Sequence, residues 1–266
     1  MLPAIRHCSA MKEENTPSWA LVCADEGSGE WNMAVDEALL DSAASGAEPL
    51  PAVRFYQWNP PAVSIGRNQT LPSSVAASAA EAGLEIVRRP SGGGAVIHSQ
   101  DLTYSVVVPE SSGVIGTYRF IAEALIHGLS RVGIDAQVVE HGAHGASVSC
   151  FALPTGADLE AGGLKICGSA QTRRAGWVLQ HGCIPIVDIL ALARRVFGSG
   201  VSDERWTCIG NLNSEVTVDE LKRYFTVGFD LLFGGPPERR GLSDDEMRRV
   251  ETLMSKGRLA DPLVVL

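Results

Sequence analysis

Arg88-Arg89-Pro90-Ser91-Gly92-Gly93-Gly94 joins two fixed positive charges to three consecutive glycines. Glycine keeps no side chain between its backbone and a ligand and reaches φ > 0 freely, so Gly92 to Gly94 can present bare N–H and C=O groups to a molecule lying across them. The arginines add charge beside that groove, and His98 follows the apolar run Ala95-Val96-Ile97. An ordinary Gly-rich hairpin turn is the commoner meaning of a glycine triplet, and on this stretch alone both readings stand. Further chemically capable residues lie in Gly162-Gly163-Leu164-Lys165-Ile166-Cys167-Gly168-Ser169-Ala170-Gln171 and in Gln180-His181-Gly182-Cys183. Arg67, Arg88, Arg89, Lys165, Arg173 and Arg174 all fall in Gly-rich or turn-rich stretches, which suggests a local basic site on an acidic body.

Those residues need a scaffold. Leu84 to Val87 runs into the arginines and Leu102 to Val108 follows Asp101, so the Gly-rich stretch reads as strand, tight turn, strand. Upstream, Trp19 to Cys23 reads as a first strand and Asn32 as the N-cap of a helix through Ala43. Ala52 to Trp58 and Ala62 to Ile65 are short strands parted by Asn59-Pro60-Pro61, and a helix over about 73–82 ends at Gly83. Tyr118, Ile121, Ala122, Leu125, Leu129 and Val132 recur at helical spacing up to Gly133. Arg173-Arg174-Ala175-Gly176 is a hairpin turn into a strand from Trp177 to Ile186. Beyond Val187 the chain turns helical, with a capping box formed by Ser243 and Glu246. The links around 52–65 and 85–108 are too short for parallel crossovers. The expected class is therefore α/β, with a mixed, mostly antiparallel central sheet flanked by helices. Residues 1–16 are set aside as an N-terminal extension, 17–249 form a single domain, and 250–266 are a C-terminal tail.

Composition excludes several classes. A formal charge of −9 over 266 residues argues against a nucleic-acid binder, whose affinity rests on cation–phosphate contacts. No apolar run approaches the length of a membrane span and no secretory core opens the chain, so a soluble cytoplasmic protein is expected. The six cysteines form no C-x-x-C and no dense framework, as suits reduced thiols in a cytoplasm. His141-x-x-His144 with Cys150 offers nitrogen and sulfur ligands, but no fourth ligand has convincing spacing, and no metal is expected.

Taken in order, Arg88-Arg89-Pro-Ser-Gly-Gly-Gly-Ala-Val-Ile-His98, Lys165-Ile-Cys-Gly-Ser-Ala-Gln171 and Gln180-His-Gly-Cys-Ile184 resemble the lipoate A/B protein ligase family, and within it the octanoyltransferases. The likeness runs from Trp19 to about Arg249 and includes Trp31-Asn32-Met33-Ala34-Val35-Asp36-Glu37-Ala38. It implies a biotin/lipoate protein ligase-like fold with an acyl tunnel walled by the Gly-rich loop and the Lys165 strand. It implies substrate contacts at Arg67, Arg89, Ser91, Gly92, Gly93, Gly94, His98, Gly168, Ser169, Ala170, His181 and Gly182. It also implies a catalytic cysteine in the loop before Lys165, where Cys150 stands. A thiolate is the attacking species in acyl exchange, and a nearby ammonium raises its fraction at neutral pH, a role open to Lys165. The implied donor is octanoyl-acyl carrier protein. The implied acceptor is a lysine of a lipoyl-domain protein, such as the glycine-cleavage H protein or a 2-oxoacid dehydrogenase subunit. No cofactor is needed, and the chain is expected to act as a monomer.

The bland alternatives are an inert, packed Cys150, a structural ion pair at Lys165, and structural roles for His98 and His181. Cys167 and Cys183 stand where small or apolar residues and serine are expected in relatives, either as neutral replacements or as competing nucleophiles. Ser99 follows His98 where the ligase branch usually shows aspartate, and the chain stops at Leu266 without the extra domain of many ATP-dependent lipoate ligases. Both features favour a transferase over an ATP-dependent ligase.

Overall fold

The computed structural model describes residues 17–46, 49–139, 158–198, 201, 206–257 and 264–265. Cys150, His141 and His144 lie outside these described residues. The chain opens with β1 (Ala20–Val22), β2 (Glu26–Gly27) and α1 (Gly29–Ser45), followed by β3 (Ala52–Trp58) and β4 (Ala62–Ile65). Next come β5 (Leu71–Pro72), α2 (Ser73–Glu81), β6 (Glu85–Arg88), β7 (Val96–His98), β8 (Asp101–Pro109), α3 (Gly113–Arg131) and β9 (Ala136–Val138). The strands β10 (Leu159–Ala161), β11 (Leu164–Arg174) and β12 (Trp177–Pro185) precede the helices α4 (Leu190–Phe197), α5 (Ile209–Leu212) and α6 (Val218–Phe233). The last elements are β13 (Glu238–Arg240), α7 (Asp244–Ser255) and β14 (Val264–Val265). No helix among the described residues is long and apolar enough to cross a membrane.

The large sheet runs β13-β1-β3-β8-β12-β11-β10-β9, with β2 beside β3. Pairings from β3 through β9 along this path are antiparallel, while β13, β1, β3 and β2 pair in parallel, which makes the sheet mixed and mostly antiparallel as expected. Its long central strands follow from the two-residue turn Ala175-Gly176, where both residues have positive φ (46° and 80°) and so match the twist of the β11–β12 hairpin. One face packs on α3 and α6 through Phe55, Tyr104, Leu125, Phe225 and Phe229. The other lies under α1, with α7 outside it. A smaller sheet, β6-β4-β7, carries α2 and α4 on its own apolar face.

Four local expectations change. The Gly-rich stretch is not a hairpin: β6 and β7 do not pair with each other but flank β4, the first parallel and the second antiparallel. A β4-α2-β6 crossover makes that parallel pair possible, so the stretch bridges two strands separated by a third. The N-cap of α1 is Ser28, whose hydroxyl accepts from Trp31 N, not Asn32. Asn32 is buried inside the helix, where its amide donates to Gly27 O at 3.0 Å and Gln57 O at 3.1 Å. The helix before Gly133 starts a full turn earlier than its apolar spacing indicated, at Gly113. The expected domain end at residue 249 falls inside α7, whose Val250 is wholly buried, and β14 pairs in parallel with β5.

Candidate functional site

Register decides which side chains meet. Arg54 pairs with Ser105, Ser105 with His181 and His181 with Ala170; two residues along, Tyr56, Thr103, Cys183 and Gly168 form the next row. Side chains two apart on a strand share a face, so both rows stand under α1. Asp36 of α1 accepts from Arg54 Nη1 (3.1 Å), Tyr56 Oη (2.8 Å) and His181 Nδ1 (2.9 Å), and all four residues are buried. With Nδ1–H given to Asp36, the His181 ring turns Nε2 toward the Ser91 hydroxyl, 2.5 Å away. The chain Arg54–Asp36–His181–Ser91 thus ties the Gly-rich loop to the central strand. Burial on its own raises the Asp36 pKa, but the His181 hydrogen bond and the Arg54 charge outweigh it and hold this carboxyl below its ordinary value.

A second chain of the same type comes from the small sheet. Ser64 Oγ meets His98 Nε2 at 2.9 Å, and His98 Nδ1 meets Asp101 Oδ2 at 2.9 Å. Asp101 Oδ2 also accepts from Thr103, whose hydroxyl accepts from Trp58 Nε1. The His98 ring lies flat on Trp58, with centroids 3.9 Å apart.

The arginines hold the loops. Arg89 is buried and donates to Ser64 O and Oγ, to Gly92 O (2.7 Å) and to Gly94 O (2.7 Å). Arg88 Nη1 takes the carbonyls of Gly66, Arg67 and Gln69, while Arg67 bonds Pro90 O and the Thr172 hydroxyl. Glycine is required where these loops cross: a β-carbon on Gly66 would stand 2.2 Å from Gly93 O, and Gly93 itself has φ 93°. Arg173 and Arg174 pair with Glu110 and with Glu37 and Asp41. Most of the side chains expected to form a local basic site thus bond to carbonyls and carboxylates that shape the loops.

A cavity lies between α1, the sheet face and the small sheet. Met33, Tyr56 and Trp58 line one side, Ser64, Arg89, Val96 and His98 another, and Thr103, Gly168, Ser169, Ala170, His181, Gly182 and Cys183 the floor. The expected contacts Arg89, His98, Gly168, Ser169, Ala170, His181 and Gly182 are thus brought to one space. Ser91 reaches it only through His181, and Arg67, Gly92, Gly93 and Gly94 are not among its lining residues. Lys165 sits behind Gly168, where a β-carbon would meet Lys165 Nζ at 3.3 Å, and forms a buried ion pair with Asp158 at 2.8 Å. Asp158 is the first described residue after the segment that carries Cys150. Of the two suspect thiols, Cys167 is fully buried in the core toward α3 and α6, and Cys183 lines the cavity.

Asp36, Arg54, Ser64, Asp101 and Asp158 were missed as site residues. A signal existed for three: Asp36 and Arg54 interrupt the apolar runs of α1 and β3, and Asp101 stands three residues after His98. Charges in such positions are buried and must find partners.

Residues 28–230 match the family model of the lipoyl protein ligase A/B catalytic domain. Octanoyltransferase LipM of Symbiobacterium thermophilum is 36% identical to this chain, covering 89% of it and 94% of that protein. Octanoyltransferase LipM of Staphylococcus aureus is 32% identical, covering 91% and 97% respectively. A crystal structure of lipoate-protein ligase A bound with ATP superposes with a TM-score of 0.79 at 25% identity, covering 91% of this chain and 96% of that one. The motifs, the mixed sheet and the cavity they enclose agree with these likenesses, and the chain belongs to the lipoyl protein ligase A/B catalytic domain family.

Proposed function

We propose that this enzyme is an octanoyltransferase of lipoate biosynthesis, carrying octanoyl from acyl carrier protein to a lysine of a lipoyl domain in the cytoplasm. The observation that carries the reading is likeness over nearly the whole chain to proteins named octanoyltransferase LipM. The cavity supports it: Met33, Trp58, Val96 and the bare backbone of Gly168 and Gly182 suit an aliphatic chain.

The cycle is ping-pong. The Cys150 thiolate attacks the thioester carbonyl of octanoyl-acyl carrier protein, the new C–S bond forms, and the carrier's thiolate leaves and takes a proton. The neutral amine of the acceptor lysine then attacks the acyl-enzyme; a C–N bond replaces the C–S bond, and the amine proton passes to the released cysteine sulfur. Thioester exchange is nearly balanced and amide formation is downhill, so the cycle runs without ATP. Lys165 raises the thiolate fraction of Cys150, and Asp158 fixes its ammonium. Backbone N–H groups of the Gly92–Gly94 loop or of Gly168–Ala170 stabilise the oxyanion, a contribution worth about 3–4 kcal/mol per donor. The acceptor is a protein such as the glycine-cleavage H protein or a 2-oxoacid dehydrogenase subunit.

Similarity to an ATP-bound lipoate-protein ligase favours a second reading, in which an acyl-adenylate occupies the cavity and Cys150 is a bystander. Intact-protein mass spectrometry separates the two. Octanoyl-acyl carrier protein without ATP is expected to add one octanoyl group to the wild type, removable by hydroxylamine and absent from Cys150→Ser. No adduct, with acceptor labelling from free lipoate only when ATP is added, would establish the ligase instead.

A further inference from the structure

We propose a binding site for one thiophilic divalent cation on the cavity wall, formed by Cys183, His98 and Asp101. A ligand atom from each of the three residues lies within 4.8 Å of the other two, and all three residues are buried. The donor set is sulfur, nitrogen and oxygen, which suits zinc or cadmium better than magnesium or calcium.

Two observations on the surrounding shell support a site rather than a chance cluster. Asp101 Oδ2 is engaged by His98 and Thr103, but Oδ1 is buried and has no hydrogen-bond partner among the described residues. Buried polar atoms are normally satisfied, so an orphaned carboxylate oxygen beside a thiol and an imidazole needs a partner. The second observation is Ser64, whose hydroxyl lies 2.9 Å from His98 Nε2 and can accept Nε2–H. When the Nδ1 proton leaves, that hydrogen bond holds the tautomer with its lone pair on Nδ1, and an imidazole ligand is commonly oriented by such an outer partner. The cation takes the place of the proton that now joins Nδ1 to Asp101. The thiol gives up its own proton, so thiolate and carboxylate balance a +2 ion. Around tetrahedral zinc, nitrogen, oxygen and sulfur ligands stand roughly 3.3–3.5 Å apart, so a shift on the order of 1 Å closes the set. The fourth position faces the cavity, since Cys183 and His98 both line it.

The consequence for turnover rests on the octanoyltransferase reading: a bound ion occupies space that the acyl chain needs and acts as an inhibitor competitive with the acyl donor. The binding claim does not rest on it. This set is separate from His141, His144 and Cys150, and the test distinguishes the two.

The reduced full chain, freed of metal by a chelator, is titrated with cadmium and followed by thiolate-to-cadmium absorbance and by calorimetry. One equivalent is expected to bind with thiolate absorbance in the wild type and in Cys150→Ser. Cys183→Ser is expected to lose the absorbance and weaken binding at least 100-fold, with an unchanged circular dichroism spectrum. Asp101→Asn, which keeps the thiol, is expected to weaken binding at least 10-fold. Absence of a saturable signal in the wild type, or a signal that survives Cys183→Ser and disappears in Cys150→Ser, would overturn the site. Cadmium is further expected to raise KM for octanoyl-acyl carrier protein in the wild type and not in Cys183→Ser. If cadmium binds at Cys183 and KM does not move, only the inhibitory role fails.

Discussion

Replacing Asp36 by alanine removes the anion on which Arg54, Tyr56 and His181 converge at 3.1, 2.8 and 2.9 Å. The Arg54–Asp36 pair is fully buried, so the variant leaves a guanidinium in the interior without its counter-charge. Losing one partner of such a pair costs about 3–5 kcal/mol. Arg54 keeps Ala24 O, Asn32 O and Asn32 Oδ1, which places the loss from charge near the lower end. The stranded Tyr56 hydroxyl and His181 N–H would each add about 1–3 kcal/mol in a dry space, and water filling the place of the lost carboxylate offsets most of that addition. The net expectation is about 3–5 kcal/mol, against a total stability of about 5–15 kcal/mol for a typical domain. Urea unfolding at pH 7 measures it: with a slope of about 3 kcal/mol per molar, the midpoint falls by about 1–2 M. Asp36→Asn keeps the shape and loses the charge, and is expected to fall between the wild type and alanine. The pH dependence has a definite sign. Because the folded pKa lies below the ordinary value, this carboxylate's contribution is complete above about pH 3.9. It fades as pH falls through the lower folded pKa, so the gap between wild type and Asp36→Asn narrows only in acid. A midpoint shift of less than about 0.3 M in Asp36→Ala, at unchanged slope, would refute the assignment of Asp36 as the anchor of this network.

Lys165→Met leaves the buried Asp158 carboxylate without its ammonium and is expected to cost about 3–5 kcal/mol. In material that still folds, octanoyl-adduct formation on Cys150 slows and its rate profile moves to higher pH; an unmoved profile would remove Lys165 from thiol activation. Gly182→Ala puts a β-carbon 2.5 Å from Gly168 O and 2.8 Å from both Ser169 Oγ and Tyr104 Cε1. The backbone oxygen sits in the middle of a paired sheet and cannot withdraw, so a loss of about 1–3 kcal/mol is expected, seen as a melting temperature lower by about 2–12 °C. An unchanged melting temperature would mean that β11 and β12 yield at this point.

The elements were legible wherever a local rule governs them. Turn chemistry located the Ala175-Gly176 turn and the strand β12 after it, the family resemblance implied the strand of Lys165, and the Ser243–Glu246 capping box appears as expected at the start of α7. The start of α1 was misjudged because Asn32 is a good cap by type, yet its amide is taken by Gly27 O and Gln57 O, the latter from a strand that comes later in the chain. The glycine triplet announced a tight loop but not its connection: only the position of β4 between β6 and β7 shows that it spans two strands instead of turning back on itself.

By itself the sequence determined the family, the mixed sheet and the residue types of the site, because motifs and periodicity are short-range properties of the chain. Tertiary structure alone decided how those residues divide their work. Arg67, Arg88 and Arg89 are motif residues, and their hydrogen bonds go chiefly to loop carbonyls. His181 and His98, 83 positions apart by their numbers (181 − 98), come to line one cavity, each anchored by its own aspartate. Asp36 meets Arg54 and His181 only after β3, β8 and β12 have aligned under α1. Burial is what makes these partners obligatory: a charge removed from water must be met by whatever the fold brings near it, and that neighbour is set by strand register and helix placement, not by distance along the chain.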